Sequence, residues 1–393
     1  MKLQVNLNMM PRASLLFEFL YCINHLAWLG AVDVHNWSSI FNNNPSKNWV
    51  VLVAGTNTWR NYRHQADVYH AYQVVRKNNV PAENIITFAY DDIANNPKNP
   101  FKGKVFHDYM HEDIYQGVEI DYRGKLHAVE LNEILAHMHS KKKYNKLVLY
   151  VEACYSGSLF RNMLPPNVGI YVTTASKEDE KSWSIFCDDK DFDMCLAGEY
   201  AYAWIKDSEY HDLKTRTLQQ QYEEVRKRTA NSHVMQYGEM GIGSLPVGKF
   251  QGHYDLPIHR YDGTIPLSAA DRQSSLQAHL FSKSRRLMEA TTEQEHEAAW
   301  RKLHRASQLG RIVKETFRDI VGEVMTHHKP TLKGLSKRDK LMCFQAVFDQ
   351  LRTHCFTIQQ VPEVAQHTTH LIALCKAGYM AETLIDSVYN ICS

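Results

Sequence analysis

The sequence predicts an α/β protein: a three-layer unit on a mostly parallel sheet, followed by an all-helical carboxyl-terminal region. Three observations carry this. Short β-branched runs recur at Trp49–Gly55, Ile85–Tyr90, Leu147–Val151 and Gly169–Thr174, too apolar to alternate and so suited to strands covered on both faces. Between the first two, Gln65 to Asn78 places Ala66, Val68, Tyr69, Tyr72, Val74 and Val75 at helical spacing, which makes a βαβ unit. Beyond Leu276 the pattern is helical to the end, broken at Lys329-Pro330.

Each segment follows in order. Residues 1–32 read as a signal peptide, with Arg12 before an apolar stretch interrupted by Glu18, Asn24 and His25. Residues 33–47 read as a polar pro-segment, and 48–252 as the α/β domain. Within it Asp91 to Gly124 is loop-like, Val129 to His139 helical, and Tyr200 to Arg228 mainly helical. Residues 253–275, with Pro257 and Pro266, read as linker, and 276–393 as a helical domain with four cysteines.

Composition sets limits on partners. The 393 residues are 44% apolar with a formal charge of +2, and both signs are interspersed. No basic stripe suits nucleic acid and no polybasic anchor suits a lipid surface. Past the first 32 residues no run approaches the about 18 apolar residues of a membrane span. Of eight cysteines, Cys22 would leave with the signal and Cys154 would be free. That leaves Cys187, Cys195, Cys343, Cys355, Cys375 and Cys392 for disulfides in an oxidising compartment, with the pairing open. Asn36-Trp37-Ser38 is a glycan acceptor triplet. No motif calls for a cofactor or a metal.

The chemistry centres on Cys154, at the carboxyl end of the Leu147 strand, where open α/β sheets place ligand crevices and nucleophiles. Asn61 and Arg63 follow the first strand and share that rim. Arg63 with Glu152 suits a pocket that grips the donor and acceptor of a carboxamide.

Read as strings, Asn48–Gly55, Asn61-Tyr62-Arg63-His64-Gln65-Ala66-Asp67, Tyr90–Ala94, Glu152-Ala153-Cys154-Tyr155-Ser156-Gly157-Ser158 and Ser232–Gly238 closely resemble the legumain family of asparaginyl cysteine endopeptidases. The resemblance runs through Arg352-Thr353-His354-Cys355-Phe356 in the tail. It implies a caspase-like fold, protein or peptide substrates, a lysosomal or vacuolar address reached by secretion, and a zymogen activated by acid. The four-cysteine tail would be an inhibitory prodomain, with Cys343 paired to Cys375 and Cys355 to Cys392. By position Cys154 matches the nucleophile and Asn61 the residue that orients the catalytic histidine. Arg63, Glu152, Ser182 and Glu199 match the specificity pocket. Glu199 stands where the family usually has aspartate, and the extra methylene weakens discrimination by about 1–3 kcal/mol.

The chain also departs from the family by a gap. A strand ending in Asp-His-Gly should lie between Val118–Gly124 and Leu126–Asn132, but only Lys125 separates them and no Asp-His-Gly occurs. The histidine, its strand and a preceding helix are missing in one block with clean edges, as an omitted exon would leave. None of His64, His107, His111, His127, His137 or His139 is placed to act as a base on Cys154. The missing strand belongs between the Val50 and Leu147 strands, so the sheet opens there unless those two pair directly, and the first domain is expected to be strained. Very low turnover follows. A non-catalytic binding or regulatory protein is the alternative; a lipid-anchor transamidase shares some strings but lacks the four-cysteine tail. From Ser232 to Tyr389 there is no asparagine, so release of the tail would fall to Asp271 or to a protease cutting after Arg285 or Arg286, with the family's cut position near Met288-Glu289.

Overall fold

A computed structural model describes residues 49–123, 128–161, 164, 167–253, 271–358 and 360–393. The expected signal and pro-segments, Cys22, Asn36, the 124–126 junction, His127 and most of the linker lie outside the described residues.

The α/β unit opens with β1 (Val50–Val53), α1 (Tyr62–Lys77) and β2 (Ile85–Phe88), and β1 pairs with β2 in parallel from Val50↔Ile85 to Val53↔Phe88. After the long loop come α2 (Ala128–Ser140), β3 (Leu147–Val151) and β4 (Ile170–Thr174), with β3 and β4 parallel. Strand β5 (Trp183–Ile185), strand β6 (Ala197–Gly198), α3 (Glu199–Tyr210), α4 (Leu218–Arg228), β7 (Met235–Gly238) and α5 (Gly248–Gln251) follow. Strand β7 runs antiparallel to β4, so the sheet is mixed at that edge.

The sheet is split. β1 and β2 form one sheet and β3, β4 and β7 another, with no pairing between β1 and β3. Burial records the interruption. All five residues of β4, flanked on both edges, are buried, whereas none of the five in β3, flanked on one edge, is. In β1, Val51 is 58% exposed. Direct pairing of the two inner strands, one of the two outcomes open to the sequence, therefore does not occur. The halves are held from the helical layer instead. Leu52 of β1 and Tyr150 of β3 pack into one cluster with Ala71, Val74, Tyr200 and Trp204, and Tyr150 stacks on Trp204 at 4.6 Å. On the other face, α2 sets Leu131, Leu135 and Met138 against Leu147, Leu149 and Ile170.

The stretch read as linker ends in structure: Gln273–Ser274 forms β8, which pairs antiparallel with β5. The helical region comprises α6 (Ala278–Met288), α7 (Glu293–His327), α8 (Lys337–His354), α9 (Val364–Ala377) and α10 (Ala381–Cys392). Helix α7 starts on a capping box between Thr292 and Glu295, and α8 on one between Ser336 and Asp339. On α7, Val313, Phe317, Ile320 and Val324 recur every three or four residues and are all 0% exposed, forming the core with Val347, Leu351, Leu371 and Leu384. Cys343 is bonded to Cys375, Cys355 to Cys392, and Cys187 to Cys195. The two units touch where Arg60 Nη1 donates to Gln360 O at 2.8 Å and Lys181 Nζ to Gln366 Oε1 at 2.7 Å.

Candidate active site

Cys154 sits on a tight turn at the end of β3. Tyr155 takes left-handed backbone angles, φ 60° and ψ 20°, a conformation that a bulky residue holds only under constraint. The constraint is visible: Tyr155 N donates to Glu180 O at 2.7 Å and Gly157 N to Ser176 O at 3.0 Å. A Cβ on Gly157 would stand 2.5 Å from Tyr237 Oη, so only glycine fits.

The sulfur faces Ser182, whose N–H donates to Sγ at 3.4 Å and whose Oγ lies at 3.6 Å. Burial raises the thiol pKa above its ordinary value, opposed by the Ser182 hydrogen bonds and the Arg63 guanidinium. The protonated thiol is therefore favoured, the less nucleophilic form. Among the described residues no histidine hydrogen-bonds to Cys154. His64 is driven well below its ordinary pKa by burial and by Arg63, His111 Nε2 bonds Asp189 at 2.7 Å, and exposed His233 pairs with Glu180 at 2.9 Å.

Arg63, Glu152 and Ser182 gather around the cysteine, delivered by the start of α1, the residue after β3 and the residue before β5, whereas Glu199, at the start of α3, is tied to Arg272 and to Ala230 N. Arg63 is buried, interacts with Cys154, Asp67 and Glu152, and donates through Nη2 to Ser275 O at 3.3 Å. Glu152 accepts from Ala201 N at 3.1 Å, and burial first, then the neighbouring Asp67, pushes its carboxyl up to about 8. Glu199 is 1% exposed and ion-paired with Arg272, and burial raises its pKa against that pairing. Asn61 behaves differently: its Nδ2 donates to Asn57 O at 3.0 Å, within its own loop. That loop leaves Thr56 Oγ1 and Asn57 Oδ1 buried without partners in the described structure.

Sequence reasoning missed a layer beneath the pocket. Asp67 Oδ1 accepts from Gly198 N at 2.9 Å and bonds His107 Nε2 at 2.7 Å, and His107 Nδ1 lies 2.7 Å from His70 Nδ1. The signal for Asp67 and His70 was present, since they fall four and seven residues after Arg63 on one helix face. His107 comes from the long loop and had no such signal. The described residues also bring His111, Asp189 and Asp191 together, with ligand-type atoms within 4.8 Å of one another. Their partners are already internal: His111 bonds Asp189, whose Oδ1 accepts from Asp191 N at 2.9 Å.

The pocket is filled by the chain itself. Besides Arg272 on Glu199 and Arg63 on Ser275 O, Ser275 N donates to Ser182 O at 3.1 Å and Ser275 Oγ lies 3.3 Å from Ser182 Oγ. Asp271 accepts from Cys187 N and from the Tyr109 hydroxyl. Of the two arginines offered for cleavage, Arg285 is buried and donates to Cys187 O at 2.9 Å, while Arg286 is exposed. Met288, 75% exposed, ends α6 at the turn before α7.

The peptidase C13 family model matches residues 48–126 and 123–253. The chain belongs to the peptidase C13 family. Relatives align with it over most of both chains. It is 35% identical to a hemoglobinase of Schistosoma japonicum over 94% of this chain and 98% of that protein. It is 31% identical to a legumain of Bos taurus over 96% and 99%, and 30% identical to a vacuolar-processing enzyme of Vicia sativa over 88% and 85%. The α/β unit is thus a legumain-like cysteine protease fold, whose family acts on proteins, and the helical unit belongs to the span these relatives share. No helix among the described residues is long and apolar enough to cross a membrane.

Proposed function

We propose that this chain is a legumain-type endopeptidase family member, built for peptide-bond hydrolysis after asparagine in lysosomal or vacuolar protein breakdown, whose own turnover is very low. Cys154 is the nucleophile position, Arg63, Glu152, Ser182 and Glu199 form the pocket for the substrate side chain, and Asn61 is the residue left without the imidazole it would orient. A thiol protease needs a base within about 3 Å to make the thiolate and later to protonate the leaving amine. The observation that carries the reading is the set of contacts around Sγ: a serine amide, a serine hydroxyl and an arginine, in a setting that favours the protonated thiol.

The absent block is inferred from the same region. The two matched segments of the family model meet at residues 123–126, and the split between β1 and β3 is where a strand carrying the base would lie. Segment 271–275 acts as an internal inhibitor by adding a strand to β5 and covering the pocket, with the helical unit as the prodomain that keeps it there. A specific observation favours a second, non-catalytic role: a pocket sealed by buried pairs but lacking a base suits a protein that binds without consuming.

The test is an Ala-Ala-Asn reporter assay at acid pH on the purified chain, before and after cleavage at Arg286. Turnover at least a thousandfold below that of the bovine relative is expected, and grafting that relative's segment between Arg123 and Leu126 should restore it. Turnover of the ungrafted chain at the relative's rate would overturn the reading.

A further inference from the structure

Away from the pocket, a cleft of about 950 Å³ separates the α/β unit from α6 and α7, within the volume range of small-molecule sites. Its walls carry an imbalance of charge. Arg60 and Lys98 come from the α/β unit, Lys283 and Arg286 from α6, and Lys302 and Arg305 from α7.

The carboxylates in the same lining are mostly occupied. Glu295 caps α7, Glu289 lies 3.5 Å from Arg285, and Asp193 accepts from the Trp59 indole at 2.7 Å; Asp191 is exposed. Among the described residues Lys98, Arg286, Lys302 and Arg305 have no ion-pair partner. Lys283 lies close enough to Arg60 and Lys98 that burial and these two cations lower its pKa to about 8. Like charges crowded in a partly enclosed space repel, and the arrangement is relieved when an anion enters.

His279 is 7% exposed and lines the cleft; its Nε2 lies 3.3 Å from Glu363, while its Nδ1 is buried without a partner. That nitrogen is closed off from the cleft by its own surroundings and contributes nothing to ligand binding.

We propose that this cleft binds a small polyvalent phosphate, an oligophosphate bridging Arg60 and Lys98 on one side and the α6 and α7 cations on the other. Arginine guanidinium groups meet phosphate oxygens in pairs and lysines add point charge, so a chain of phosphates matches the row better than a single monoanion. Because the cations lie on both units, the ligand clamps the α6–α7 turn to the α/β unit and shields Arg286.

The experiment is calorimetric titration of the full chain with inorganic tripolyphosphate at fixed ionic strength, with sulfate as the comparison anion, together with trypsin digestion at Arg286. Expected are saturable one-to-one binding of tripolyphosphate, binding at least tenfold weaker for sulfate, and cleavage at Arg286 slowed at least fivefold by tripolyphosphate. The exposed pair Lys302→Glu with Arg305→Glu should weaken binding at least tenfold without changing the circular dichroism spectrum; Lys302→Gln serves if that variant does not fold. Absence of saturable binding, equal affinity for sulfate, or unchanged affinity in the folded variants would overturn the proposal.

Discussion

Arg272 lays its guanidinium on the carboxylate of Glu199, tying the start of α3 to a residue from the far side of the 254–270 stretch. Glu199 is 1% exposed, so removing its partner leaves a buried charge unpaired, the costly way to break an ion pair. Arg272→Ala should destabilise the chain by about 3 kcal/mol, and adding Glu199→Gln should recover most of that loss. Urea denaturation of the single and double variants measures both.

Glu152 gives a pH signature whose sign is fixed. Its folded-state pKa is pushed up to about 8 from an ordinary 4.5, so the native state holds a proton that the unfolded chain releases. Stability is then fully present below pH about 4.5 and falls as pH rises towards 8. Across that window the loss attributable to this group is on the order of 5 kcal/mol. Glu152→Gln should flatten the decline, as read from melting temperature against pH.

Gly198 lets the carboxylates of Asp67 and Glu152 come close to the backbone. A Cβ there would stand 2.9 Å from Asp67 Oδ2 and 2.8 Å from Glu152 Oε2, on a buried and a half-buried side chain that are each held by hydrogen bonds. Gly198→Ala should cost about 1–3 kcal/mol and disturb the Arg63 neighbourhood, whereas alanine at Gly241, where no atom lies within 4 Å of the added carbon, should not. Paired melting curves check the contrast.

Alkylation of Cys154 by iodoacetamide should be slow at pH 6 and rise only at alkaline pH, above the inflection of a free thiol, because burial favours the protonated sulfur. The rate profile should show one alkaline step and no step near pH 6.5, the mark of an imidazole partner.

Much of this was legible in the chain. Strands β1 to β4, helix α1 and the helical region follow from periodicity, because each buries a run or stripe that its own residues announce. The grouping of Arg63, Glu152, Ser182 and Glu199 came from the family resemblance, since separations of 17 to 136 positions leave no local trace. Segment 271–275 read as linker because two strand residues, Gln273 and Ser274, carry no apolar pattern; their place is decided by hydrogen bonds to β5. His107 was equally silent, being a loop residue whose partner Asp67 lies 40 positions away.

Among the described residues the flanks of β1 and β3 have no strand partner, which also bears on how molecules meet. Each presents a row of amide and carbonyl groups ready to template a foreign strand, and two such seams on one molecule allow head-to-tail growth without ring closure. At high concentration the chain should form open-ended oligomers, with a scattering mass that climbs with dose and falls when a matching strand peptide is supplied.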